Sequence, residues 1–401
     1  MTGAAPARSY RWTILAVAFL VLLTSFSIRL ALSNVTTILG QDLALTATAI
    51  GAFVTAFYVG YVAANAVGGV AADRIGARRA IWLAMASLSV FTFGFGWVTN
   101  AVTGLAVQAA MGLSAGVYFS ATTKLVGAWF PARERGRAFG IISMPSSMAV
   151  IIANSVYPLI VAAYSWQTLY HVLGIYVAVV TLLCFFLLRD APQVAETASA
   201  PPAQPTGAAI REILGNRDFV LLAIGGFCGS WGTWGFAFWA NALLVKGHGL
   251  SGIEAGQITA IFGIGALVAK PLYGWLSDLL PLPRKYMVVA CYAAFAAMLM
   301  VFGLLDTGWL RIAAPILGVT AFVYSPIMSA LLTEMIGKRS VGTAAGLMNA
   351  FWQTGVVIVP LVVGGVFQAT GSFIAAFVVL AAGPAIGSIC MLLVRENREV
   401  D

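Results

Sequence analysis

The sequence predicts an all-α membrane protein whose twelve transmembrane helices form two pseudo-symmetric bundles of six. Three observations carry that expectation: the composition, a recurrence of long apolar runs, and a one-sided placement of basic residues. Of 401 residues, 61% are hydrophobic and only 9% are charged, whereas a soluble domain carries about 25% charged residues. So few charges cannot coat a globule of this size, and lipid is the remaining solvent. Apolar stretches of about twenty residues, the length that crosses a bilayer as a helix, recur along the whole chain.

The spans are read at 12–36, 46–70, 80–99, 103–127, 138–162, 168–188, 218–244, 252–276, 286–305, 311–333, 343–367 and 371–394. Many contain Gly or Pro, which membrane helices tolerate. With the N-terminus on the cytoplasmic side, nearly every Lys and Arg falls on that same side. Arg8, Arg11, Arg74, Arg78, Arg79, Lys124, Arg133, Arg135, Arg137, Arg189, Arg211, Arg217, Arg284, Lys285, Lys338, Arg339, Arg395 and Arg398 lie there, against Lys246 and Arg311 opposite. This is the positive-inside bias, and it places both termini in the cytoplasm and the protein in the inner (plasma) membrane. It also removes nucleic acid as a reason for the net charge of +8. The first span follows Arg8 and Arg11 and is too long for a signal core, so it is expected to stay as an anchor. Cys184, Cys228, Cys291 and Cys390 all fall in apolar segments and read as packed thiols, not as a disulfide framework or a metal site.

The one long polar interruption, residues 189–217, is rich in Ala and Pro and reads as a cytoplasmic linker. It separates an N-terminal bundle, 1–188, from a C-terminal bundle, 218–401. The halves match at an offset of 205 to 206 residues: Gly69 with Gly274, Asp73 with Asp278, Gly112 with Gly318, Tyr118 with Tyr324, and Gly140 with Gly346. Three stretches in the same order mark a duplicated six-helix unit, and an even number of spans inserts both copies with one orientation.

On those residues the chain resembles the major facilitator superfamily over all of its length except the tails and the linker. Its strongest signature is Gly69, Asp73, Arg74, Gly76, Arg78 and Arg79 between the second and third spans. The second copy keeps Asp278 but replaces the glycine turn with Leu-Leu-Pro-Leu-Pro. The physical reading is a gate. Asp73 can accept hydrogen bonds from helix N-termini or from Arg133, Arg135 or Arg137, in one domain arrangement only. The bland alternative is that the charges merely anchor the loop among headgroups.

Two cations remain inside spans, Arg29 and Lys270. A charge near the bilayer centre is costly and normally faces a cavity or a partner. Every Asp and Glu of the sequence maps to a loop or a span end, as do His171 and His248. A negatively charged cargo is the simplest missing partner, although a lysine stem close to a span end can also snorkel. The resemblance points the same way. Arg29 in the first span with Ser33 and Asn34 after it, and the stretch Trp129–Ile141, are similar to organic-anion branches that carry sialic, hexuronic and sugar acids. The Ala269-Lys270-Pro271 step is similar to monocarboxylate and oxalate-type carriers. It implies that Arg29 and Lys270 bind substrate carboxylate. Ile28, Ala115 and Gln108 stand where such carriers often have charged groups, Ala115 replacing a proton-carrying Glu. The usual proton coupling is thereby put in doubt, and uniport, anion exchange or another proton route remain.

Further candidate substrate-binding residues are Tyr118 and Tyr324, Tyr61 and Asn65 on the second span, Trp234 on the seventh, and Asn349 and Gln353 on the eleventh. Tyr58, Trp231, Trp239 and Trp352 lie beside them; an interfacial belt is the commoner fate of tryptophans. The function expected is transport of a small organic anion, a mono- or dicarboxylate, by alternating access, with a counter-anion or a proton as possible partner. The rival is a small-molecule or drug exporter of the same architecture, which would place acids in the cavity. A transport-dead sensor would need a signalling tail. An enzyme would need a nucleophile–base pair or a metal-ligand cluster, and no ATP-binding motif is present. No cofactor or metal is expected, and the chain is read as a monomer.

Overall fold

A computed structural model describes residues 4–130, 134, 138, 141–190, 207–279, 282–335 and 341–395. The side chains of 4–9, 66–74, 119–120, 207–210, 271, 274–279, 330, 333–334, 341–343 and 345 are excepted. The first six helices are α1 (Ala4–Asp42), α2 (Ala47–Ile75), α3 (Ala77–Phe95), α4 (Ala101–Trp129), α5 (Pro145–Ala163) and α6 (Trp166–Leu187). The second six are α7 (Arg217–His248), α8 (Gly252–Leu279), α9 (Arg284–Leu304), α10 in two pieces (Thr307–Phe322 and Tyr324–Met335), α11 (Val341–Thr370) and α12 (Phe373–Leu393). Eleven of them are long and apolar enough to cross a membrane. The twelfth, α3, is 19 residues long and opens on Ala-Arg-Arg, which dilutes its apolar run.

Helix ends follow local chemistry. Thr46, Asn100, Ser165, Asn216 and Ser372 each accept a hydrogen bond from a backbone N–H of the turn they start. Ser251 and Glu254 form a reciprocal capping box at α8, with Glu254 N–H donating to Ser251 Oγ and Ser251 N–H to Glu254 Oε2. Gly249 and Gly371 end α7 and α11 with φ of 69° and 61°, where a Cβ would be strained.

The chain divides into two compact units, residues 1–193 with 250–260 and residues 194–249 with 261–401. Inside the first, α1 packs on α5, α3 on α6 and α2 on α4; inside the second, α7 packs on α11 and α9 on α12, the same pairings one copy later. The duplication is visible atom by atom. A Cβ on Gly112 would overlap the Phe57 carbonyl oxygen, and one on its mate Gly318 would overlap the Phe262 carbonyl oxygen. Gly60 faces the Ala109 carbonyl as Gly265 faces that of Pro315. Helices α2/α4 and α8/α10 thus press backbone to backbone through glycines at matching positions, as small residues allow in lipid.

Helix α10 differs from α4 in breaking at Val323. Pro326 has no N–H for the Phe322 carbonyl, and Ser325 Oγ donates to that oxygen instead, at 3.4 Å. Thr233 Oγ1 of α7 donates to the neighbouring Ala321 carbonyl at 2.6 Å. Side-chain hydroxyls thereby re-satisfy backbone that lipid cannot. The predicted linker also differs from expectation: it contains a short helix, Gly207–Gly215, whose Ile213 is buried with Phe219, Leu331 and Leu332 of the second unit. Ile213 thereby joins an apolar cluster that sequence composition did not reveal.

Candidate functional site

Arg29 lies inside α1 and is buried, with 7% of its surface exposed. Its guanidinium donates to Ser25 Oγ, one turn earlier, at 3.2 Å. Three rings surround its carbon: Tyr61 at 4.1 Å, Phe26 at 4.8 Å and Tyr58 at 5.9 Å from the ring centres. Tyr118 of α4 is close enough to couple electrostatically to Arg29, yet its buried hydroxyl makes no hydrogen bond of ordinary geometry. Arg29 Nε is likewise buried and without a partner. Among the described residues Arg29 has no ion pair with a carboxylate. Ring faces and hydroxyls replace the water it has lost; a desolvated cation–π contact is worth about 2 kcal/mol.

The glycines explain how the cage closes. Gly112 and Gly116 of α4 and Gly60 of α2 let the two helices touch at Phe57 and Tyr61. A Cβ at Gly116 would overlap the Tyr61 carbonyl and lie 2.8 Å from Asn65 N. That approach brings Tyr58 and Tyr61 from one helix and Tyr118 from the other around the same guanidinium. Asn65 sits one turn beyond Tyr61, half-buried. Ser33 and Asn34, which carry part of the family resemblance, each donate to the Leu30 carbonyl of their own helix.

In the second unit, Lys270 is half-buried and its Nζ lies 4.7 Å from the centre of the Phe322 ring. Phe322 meets Trp234 edge-on at 6.4 Å, and Trp234 stacks on Phe238 at 5.8 Å. Lys270 and Trp234 are therefore joined through an aromatic wall that the sequence did not announce. Helix α8 continues nine residues past Lys270 to Leu279, about 13 Å of helix. Lys270 is thus further from its helix end than the predicted span implied. Tyr324 is buried at the α10 break, its ring 5.0 Å from Tyr292 and 6.1 Å from Trp352, and its hydroxyl engages Ser230 and Thr233. Asn349 is exposed and Gln353 half-buried on α11. Trp231 and Trp239 donate to the Val379 and Pro360 carbonyls and so serve helix packing.

At the other functional motif, Gly76 turns α2 into α3 with φ of 86°. Arg78 N–H donates to Asp190 Oδ1 at 3.1 Å, and the Arg78 guanidinium donates to the Phe185 carbonyl at 2.8 Å. The start of α3 is capped by a carboxylate from the end of α6, and the end of α6 by an arginine from α3. The second unit repeats half of this: Lys285 Nζ donates to the Val394 carbonyl at 2.9 Å. Asp190 was missed by sequence reasoning, although an acid directly after the sixth span was a readable signal. Arg79 is exposed. Gly69, Asp73, Arg74 and Asp278 belong to α2 and α8, but their side chains lie outside the described residues, as do Arg133, Arg135 and Arg137. Arg11 pairs with Glu134 at 2.9 Å.

Comparison with known proteins gives a consistent picture. A probable galactarate/D-glucarate transporter of Bacillus subtilis (strain 168) is 26% identical over 98% of this chain and 93% of its own length. The hexuronate transporter of the same organism is 26% identical over 92% and 90%. A probable sulfoacetate transporter of Cupriavidus necator is 25% identical over 98% and 95%. Among solved structures, a D-xylose–proton symporter superposes with a TM-score of 0.79 at 15% identity, covering 96% of this chain and 98% of that one. A bacterial homologue of the human lysosomal transporter Spinster gives 0.76 at 16%, covering 98% and 96%. Residues 17–360 and 222–401 match the family model of the Major Facilitator Superfamily. The chain belongs to the Major Facilitator Superfamily: it is a multi-pass membrane transporter with the twelve-helix fold of that family, not an enzyme.

Proposed function

We propose that this protein carries a small organic anion, a mono- or dicarboxylate or a close relative, across the inner membrane by alternating access, with both termini cytoplasmic. The observation that carries the reading is Arg29: a permanently ionised fork inside a membrane helix, enclosed by neutral rings and hydroxyls, with Nε unspent. A planar donor of this kind suits a carboxylate or a similar oxyanion. Tyr61 and Tyr118 stand ready to donate hydroxyls to the same anion, and Asn65 extends that wall. The relatives named as carriers of galactarate, glucarate, hexuronate and sulfoacetate all move organic acids, which supports the same class here. In the second unit, Lys270 with Trp234 is the proposed substrate-binding pair, with Tyr324, Asn349 and Gln353 as lesser candidates. The turn around Gly69, Asp73, Arg74, Gly76, Arg78 and Arg79, with Asp278 in the second copy, is the proposed gate.

The test is uptake by proteoliposomes of a panel of labelled mono- and dicarboxylates. An anion should accumulate with the wild-type protein, and Arg29→Gln and Lys270→Gln should each cripple that uptake. Undiminished transport in both variants would remove the site assignment and leave the fold standing.

A further inference from the structure

We propose that the cargo is an aryl carboxylate, a flat aromatic acid whose charged end meets Lys270 and whose ring lies on Trp234. The inference rests on the reading of the chain as an organic-anion carrier, and it names the body of that anion. From Leu222 to Leu244, α7 is buried except at Ile224, Phe227, Trp231 and Trp234. Spacings of three and four residues put these on one face, so α7 leaves a single stripe partly open, and the stripe is mainly aromatic. The Phe227 and Trp231 ring centres are 5.9 Å apart, and Trp231 is tied to the Val379 carbonyl by its indole N–H. Trp234 is the member that reaches the cation. It stacks on Phe238 at 5.8 Å and meets Phe322 edge-on at 6.4 Å, and Phe322 lies 4.7 Å from the Lys270 ammonium. Phe238 and Phe322 are buried, whereas Lys270 and Trp234 are half-buried. The arrangement is a cation at the rim of a hydrocarbon wall whose front is partly open.

Such a wall is a poor partner for a polyol. Phe238 and Phe322 carry no hydrogen-bonding group, so a hydroxyl laid against them gives up water without replacement. One group left unpaired in this way costs about tenfold in affinity. A saturated ring escapes that cost but has no π face to offer. An aromatic ring escapes it and also stacks, and an aromatic pair adds up to about tenfold beyond its buried area. The ammonium of Lys270 is a point charge that attracts a carboxylate without fixing its plane. The orientation of the cargo is then set by its ring. Lys270 supplies the charge, and Trp234 discriminates among bodies that carry the same charge.

The experiment uses the full chain in proteoliposomes, with the leak into protein-free vesicles subtracted. The labelled probes are two pairs matched in charge, benzoate with cyclohexanecarboxylate and terephthalate with cyclohexane-1,4-dicarboxylate, and glucarate beside them. In wild type, at least one aryl acid should show a KM about tenfold below that of its saturated counterpart and lower still than that of glucarate. Trp234→Leu should erase the aryl advantage and Trp234→Phe should keep it, with melting temperatures taken for both variants. The wild-type comparison stands by itself if Trp234→Leu fails to fold. Saturated acids or glucarate carried as well as the aryl acids overturn the proposal, and so does a folded Trp234→Leu with an unchanged aryl advantage. Both results leave the anion-carrier reading intact. Uptake of none of the five overturns the proposal, and uptake of nothing in the wider panel of mono- and dicarboxylates overturns the anion-carrier reading with it.

Discussion

The closeness of α2 and α4 sets the Arg29 cage, so the sharpest perturbation is one methyl group at Gly116. A Cβ there would lie 2.7 Å from Ala64 Cβ and 2.8 Å from Asn65 N and would overlap the Tyr61 carbonyl. Carbon atoms rest at about 3.5–4.0 Å, so α2 must retreat by roughly 1 Å in Gly116→Ala. The Tyr61 ring, 4.1 Å from the guanidinium carbon in the native protein, then moves away from its cation. Overpacking of this kind costs about 1–3 kcal/mol of stability. The displaced ring also loosens the guanidinium that the anion must meet, and a loss of about 1.4 kcal/mol in binding is a tenfold rise in KM. The control is Gly174→Ala in the same unit, where a Cβ would press on Phe93 Cβ at 2.5 Å between α6 and α3, away from the cage. Both variants should melt earlier in detergent, but only Gly116→Ala should raise the KM for anion uptake. The reasoning is refuted when Gly174→Ala raises KM equally, or when Gly116→Ala lowers the melting temperature and leaves KM unchanged.

Three further outcomes follow from the same geometry. Arg29→Lys keeps the charge but loses the two-pronged fork, so the KM for anion uptake should rise at least about tenfold, measured in the same vesicles. Tyr61→Phe keeps the ring face at Arg29 and Tyr61→Leu removes it; the Leu variant should lose about 2 kcal/mol more stability in thermal unfolding. Asp190→Ala removes the acceptor of the Arg78 N–H and should cost about 1 kcal/mol of stability, read by thermal unfolding.

Helix number, the duplication and the two lone cations were legible because each is a one-dimensional signal: length, offset and sign of charge. What surrounds the cations was not. Ser25 serves Arg29, one turn earlier on the same face of α1, because a long helical side chain leans back towards its helix N-terminus. Phe322 beside Lys270 and Phe26 beside Arg29 read in sequence as ordinary apolar residues. The break in α10 was signalled by Pro326, whose missing donor was visible, whereas the hydroxyls of Ser325 and Thr233 that repair it were not. Asp190 was assigned to a loop end without a partner, and its bond to Arg78 spans 112 positions of sequence.

The duplication kept its backbone and changed its charges. Gly112 and Gly318 make the same approach to Phe57 and Phe262 in the two copies, so the helix pairs that frame each half were conserved as packing units. Asp73 and Tyr118 were copied as Asp278 and Tyr324, but the two cations inside spans were not. Arg29 on α1 has Trp234 as its mate on α7, and Lys270 on α8 has Asn65 as its mate on α2. Gly116, which admits Tyr61 to the cage of the first unit, corresponds to Phe322, which covers Lys270 in the second. Each half therefore holds one cation, on a different helix, against a different wall: tyrosines with hydroxyls around Arg29, Phe322 and Trp234 beside Lys270. Such a pair is unequal by construction. A guanidinium fork such as that of Arg29 can hold an oxyanion by direction, whereas the Lys270 ammonium is a point charge beside the Phe322 ring. Under the function proposed above, it is Arg29 on which recognition of an oxyanion would turn, because only its fork is directional.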